Sequence, residues 1–131
     1  MNYRVVIVDD APFVREVLAH ILKPTEFQVV DEASDGVEAV LKVLEAKPDL
    51  VIMDIVMPQK SGIQATVEIL EQNPSIKIVA CSTEGSETII ARAIDAGCCD
   101  FVVKPFEASH LLKTLRSAVQ KKMEVQGKEA P

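Results

Sequence analysis

Residues 50–62 read LVIMDIVMPQKSG, with one carboxylate, Asp54, set among seven apolar side chains before Pro58, Lys60 and Gly62 end the run. A short run that is apolar at consecutive positions suits a strand buried on both faces rather than one with a wet side. An unpaired carboxylate carried into such an interior costs several kcal/mol, on the order of 2 or more. Asp54 therefore requires a strand end that opens on solvent, or a charge partner. The rest of the chain supplies both.

Working outward, four more β-branched runs resemble the first: YRVVIVD (3–9), FQVVDEA (27–33), IKIVACS (76–82) and DFVVK (100–104), with the central one spanning 49–54. Segments of helical period lie between and after them, at 11–23, 36–46, 63–72, 86–96 and 107–121. In the first, Val14, Val17, Leu18, Ile21 and Leu22 form one stripe, with Pro12 at the opening turn and Pro24 just past the end. In the last, Leu111, Leu112, Leu115 and Val119 do the same. Doubly apolar strands alternating with helices predict an α/β domain: a doubly wound, five-stranded parallel sheet with five helices on its two sides. Residues 1–122 make up this domain. Residues 123–131 lose the apolar period and are expected to form a polar tail that frays.

Composition narrows the function. The 131 residues include 48% apolar side chains, enough for one core, and the net charge is -6. Scattered basic residues on an acidic chain argue against nucleic acid and for a cationic or mixed-charge protein partner. No apolar run nears the roughly 18 residues of a membrane span, and MNYRVVIVDD meets two acids too early for a signal peptide, so a cytoplasmic protein with no membrane insertion is expected. Cys81, Cys98 and Cys99 lack metal-ligand spacing and sit in or beside apolar stretches, which fits reduced, buried thiols without chemistry.

The polar residues gather at one kind of position. The first strand ends in Asp9 and Asp10, the third in Asp54, the fourth in Ser82 followed by Thr83, and the fifth in Lys104. All are carboxyl ends, where open α/β sheets bind ligands. Taken singly, an Asp before a helix is a cap, a Ser after a strand a turn former and a Lys a solvated charge. Taken together, the neighbouring carboxylates repel by roughly 4 kcal/mol per close pair at an effective dielectric near 20, which implies a cation. Oxygen ligands without His or Cys suit Mg2+, which commonly shares its site with phosphate. Lys104 adds a second positive charge, directed at a phosphoryl oxygen.

VIVDD, MDIVMPQKSG, CST and DFVVKPF, in this order and spacing, resemble the response-regulator receiver domain, and most closely the single-domain chemotaxis regulators of the CheY type. The similarity covers about residues 3–121. It implies the flavodoxin-like strand order 2-1-3-4-5, with Asp54 as the phosphoacceptor taking a phosphoryl group from a histidine kinase. It further implies Mg2+ held by Asp9, Asp10, Asp54 and the backbone carbonyl of Val56. Lys104 and the metal would neutralise phosphoryl charge, so that the protein catalyses its own phosphorylation and dephosphorylation without being a conventional enzyme. Ser82 and Phe101 would form the switch. The face of the 86–96 helix, the last strand and the last helix would bind a protein target, with a flagellar motor switch protein as the candidate, and the chain would act as a monomer.

The resemblance also implies a cis Lys104–Pro105 bond that aims the lysine into the site. Gly62 is expected to need positive φ. Two departures from the commonest pattern stand out. Phe101 replaces a frequent Tyr, removing a phenol hydroxyl, and Thr83 adds bulk beside the phosphate where Ala or Gly is common. Val56 and Glu84 flank the expected path of the hydrolytic water and should set signal lifetime.

Other readings fit less well. An aspartate-nucleophile phosphatase would want an acid two residues after Asp54, where Val56 stands. A flavin or nucleotide binder would want a glycine- or hydroxyl-rich loop after the first strand, where two acids stand. A pseudo-receiver would lack some of the phosphorylation residues. A receiver domain cut from a longer regulator with an output module is the alternative that remains. His20 and His110 are expected on solvated helix surface, leaving the phosphodonor to another protein.

Overall fold

A computed structural model describes residues 2–129, with side chains as far as Gln120. Strands and helices alternate throughout: β1 (Tyr3–Val8), α1 (Pro12–Leu22), β2 (Phe27–Ala33), α2 (Gly36–Ala46), β3 (Leu50–Asp54), α3 (Gly62–Gln72), β4 (Lys77–Ser82), α4 (Glu87–Ala96), β5 (Asp100–Val103) and α5 (Ala108–Glu129). The strands form one parallel sheet in the order β2-β1-β3-β4-β5, as the resemblance implies. The last helix runs past residue 122, and the expected tail at 123–131 lies outside the residues whose side chains are described. Among the described residues no helix is long and apolar enough to cross a membrane.

Strand alternation sorts the core into two layers. Val6, Val8, Val51, Met53, Ile78 and Ala80 face α2, α3 and α4, meeting Ala39, Val43, Ala65, Ile69 and Ala93. Val5, Ile7, Leu50, Ile52, Val79, Cys81 and Val102 face α1 and α5, meeting Leu18, Leu22, Leu111, Leu115 and Ala118. All five residues of β3 are buried, which is what the unbroken apolar run at 50–53 requires of the central strand.

The helices start where local chemistry allows. Pro12 occupies the first turn of α1, where its missing N–H costs nothing. Asp35 caps α2 by accepting from the Glu38 N–H at 2.8 Å. Ser61 and Gln64 form a reciprocal capping box on α3, and Ser86 caps α4. Gly97, at φ 116°, ends α4 in the left-handed conformation.

Candidate functional site

Continuing the alternation past the last core residues places the site. Asp9 follows Val5 and Ile7 in parity, Asp54 follows Leu50 and Ile52, and Lys104 follows Val102, so all three belong to the α1/α5 layer at the carboxyl edge. The Lys104 Nζ donates to Asp9 Oδ2 at 2.6 Å and lies 3.5 Å from Asp54 Oδ1. Oxygens of Asp9, Asp10 and Asp54 all lie within 4.8 Å of one another. Asp9 and Asp54 are buried, at 2% and 5% exposure, whereas Asp10 is open to solvent.

This crowding of negative charge is felt by Asp54. Burial above all, and then the charge of Asp9, raises its pKa from 3.8 to about 6, against the pull of Lys104. At Lys104, burial works to lower the ammonium pKa, but the hydrogen bond to Asp9 and the charge of Asp54 outweigh it, so the net direction is upward. The lysine thus stays charged and Asp54 remains a carboxylate at neutral pH. Three hard oxygen donors that one lysine does not neutralise fit a divalent cation of the Mg2+ kind.

Around this centre the backbone is tightly fixed. Asp9 donates its N–H to Ala33 O at 3.0 Å, and its Oδ1 accepts from the Ala11 N–H at 2.9 Å. Ser82 ends β4 fully buried beside the Cys81 position that pairs with Asp54, and its Oγ accepts from the Glu84 N–H at 3.2 Å. The Lys104 N–H donates to Ser82 O at 2.8 Å, so the last ladder bond joins the lysine to the serine. Phe101 is half-buried against the α2–α4 layer. Thr83 and Glu84 are exposed, as is Val56 at 58%. An open recess of about 320 Å3, lined in part by Phe13, Thr83, Pro105 and Phe106, flanks Lys104.

The Lys104–Pro105 bond is cis, as expected. Gly62 is a correction: its φ is not positive, and Gln59, at φ 69°, takes the left-handed turn of the β3–α3 loop instead. Gly62 is needed for close approach. Its N–H donates to Ile55 O at 2.9 Å, and a Cβ there would run into the Asp54 carbonyl. Cys81 and Cys98 are buried free thiols pushed up to about 12 and about 11, chiefly by burial, and are unreactive there. His20 and His110 lie exposed on α1 and α5. Arg15, which sequence reasoning did not single out, donates from α1 to the Asp9 main-chain carbonyl at 2.7 Å. A basic residue one turn into the helix that follows paired acids was the available signal.

The model of the response regulator receiver domain matches residues 5–116. Chemotaxis protein CheY of Listeria monocytogenes is 43% identical over 117 residues, which cover 89% of this chain and 98% of that protein. Chemotaxis protein CheY of Thermotoga maritima is 46% identical over 115 residues, 88% of this chain and 96% of that one. The crystal structure of the CheX–CheY–BeF3–Mg2+ complex from Borrelia burgdorferi is similar with a TM-score of 0.85 at 32% identity, covering 88% of this chain and 87% of that chain.

Proposed function

Because this chain belongs to the response-regulator receiver family, we propose that it signals by taking a phosphoryl group from a phosphohistidine of a partner kinase onto Asp54. The observation that carries this reading is the meeting of Asp9, Asp10, Asp54 and Lys104 at one edge of the sheet. With a pKa of about 6, Asp54 is mostly ionised at neutral pH and can act as nucleophile. In the transfer a carboxylate oxygen of Asp54 bonds to phosphorus while the P–N bond to the donor imidazole breaks. The imidazole leaves with the electron pair and takes a proton from solvent.

Receiver domains take phosphate from histidine kinases, bind Mg2+ at an acidic pocket, and bind protein partners. In this chain Asp9, Asp10, Asp54 and the Val56 carbonyl would hold Mg2+, which when bound supplies positive charge to the phosphoryl oxygens. Lys104, 3.5 Å from Asp54 Oδ1, adds a fixed positive charge on the same side. The buried flanks of Asp54 limit water, and Val56 and Glu84 at the open side set how fast the acyl phosphate hydrolyses.

The Ser82 hydroxyl, now accepting from Glu84, would turn to the phosphoryl oxygens, and Phe101 would move further into the space this leaves. The target then docks on α4, β5 and α5, where Ile94 and Val103 are exposed. We assign this target to chemotaxis, with a flagellar motor switch protein as the candidate, and place the protein in the cytoplasm as a monomer.

The test is incubation with Mg2+ and acetyl phosphate. One base-labile phosphate per chain is expected, absent from Asp54→Asn; label that persists in the variant would refute the assignment.

A further inference from the structure

The β1–α1 turn presents two of the three carboxylates, and Arg15 braces it from behind. The side chain is 19% exposed. One guanidinium nitrogen donates to the Asp9 carbonyl at 2.7 Å, and Nε donates to Glu32 Oε1 at 3.1 Å. Glu32 lies on β2 opposite Ile7, and its own carbonyl accepts from Lys42 Nζ at 2.8 Å, so the anchor is itself tied down.

The Asp9 carbonyl belongs to the planar peptide that joins Asp9 to Asp10. The Asp9 side chain has other supports, namely the Ala11 N–H and Lys104. Asp10 has none: among the described residues it makes no hydrogen bond or ion pair, yet one of its oxygens lies within 4.8 Å of those of Asp9 and Asp54. Its direction therefore depends on how that peptide plane is held.

We propose that Arg15 is a positioning residue for the cation site, holding the Asp9–Asp10 peptide so that the Asp10 carboxylate faces the other two acids, with Glu32 as its anchor. This rests on the cation reading above. Charge and position predict opposite signs. A guanidinium near a cation disfavours it, so by charge alone removing Arg15 would tighten Mg2+ binding. By position, removal loosens Asp10 and weakens binding. Outer supports of metal ligands are commonly worth about 10-fold or more in affinity, which outweighs the repulsion of a charge already paired with Glu32.

The experiment is calorimetric titration of the full chain with Mg2+, with a urea midpoint recorded for every variant. Arg15→Met, which keeps the apolar stem, is expected to raise Kd about 10-fold. Arg15→Lys, which keeps the charge but not the fork that serves both acceptors, is expected to raise it about threefold, a loss that repulsion does not explain. Asp10→Asn weakens binding by itself, and adding Arg15→Met to it costs nothing more, because the brace acts through Asp10. Tighter binding by Arg15→Met, an unchanged Kd with only a lower urea midpoint, or full additivity with Asp10→Asn would each overturn the assignment. Absence of Mg2+ binding by the unmodified chain, or an unchanged Kd in Asp10→Asn, would overturn the cation reading and the role of Arg15 with it. Weakened binding in Asp10→Asn beside unchanged binding in both Arg15 variants would overturn the role of Arg15 alone.

Discussion

Asp54→Asn should make the protein more stable at neutral pH in the absence of divalent cations. Burial and the charge of Asp9 raise the Asp54 pKa from 3.8 to about 6. An acid whose folded value lies above its unfolded value binds protons more readily when folded. Its ionisation therefore opposes folding: the penalty is absent below about pH 3.8 and complete above about pH 6. Each tenfold change in proton affinity is worth about 1.4 kcal/mol, so the full penalty is about 3 kcal/mol. Asn keeps the size of the protonated acid without the charge.

In urea unfolding followed by circular dichroism with EDTA present, the variant should exceed the parent by about 3 kcal/mol at pH 7.5. The gap should be about half that at pH 5 and under about 1 kcal/mol near pH 4. Other groups titrate over the same range, but they are common to both proteins and cancel in the difference. A gap that does not change with pH, or a variant less stable at pH 7.5, would show that Asp54 is not a strained acid. Burial and the charge of Asp9 would then not act on Asp54 as described.

Three further outcomes are expected. Lys104→Met leaves the buried Asp9 and Asp54 without the cation they share and should cost about 3–5 kcal/mol, much of it restored by saturating Mg2+; a loss indifferent to Mg2+ would mean that lysine and metal do not answer the same charge. Gly62→Ala forces a Cβ against the Asp54 carbonyl and should lower the unfolding free energy by about 1–3 kcal/mol, as overpacking does, which an unchanged urea midpoint would disprove. Ser82→Ala should accept phosphate yet pull down the activated-state partner poorly in beryllofluoride, and undiminished capture would remove Ser82 from the switch.

Much of the fold was legible because β-branched runs and helical stripes report burial directly. The run at 50–53 is apolar at every position because β3 is central, and the expected strands fall within one or two residues of those observed. Lateral order was not legible from pattern, since periodicity says nothing about which strand lies beside which; the order came from family resemblance. The gathering of Asp9, Asp54 and Lys104 was foreseeable from strand ends, and the shared parity of Val5, Ile7 and Asp9 with Ile52 and Asp54 would have given the layer as well. Gly62 departs from expectation because a glycine marks either unusual φ or close approach, and only the fold reveals the Asp54 carbonyl behind it. Arg15 is only faintly legible, since one of its two partners is the Asp9 main-chain oxygen and its place one turn into the helix after the paired acids is the sole pointer to it.

The bond from the Lys104 N–H to the Ser82 carbonyl has a consequence for timing. With its main chain pinned to β5, Ser82 has little to rearrange but one side-chain torsion. Even slowed by burial, such a rotation belongs at or below the microsecond-to-millisecond scale of collective motions, ahead of phosphoryl transfer at about 1–100 per second in kinases. On the proposed reading the Ser82 step would therefore not lag the chemistry, and any delay in the response would lie beyond it, in Phe101 and the target-binding face.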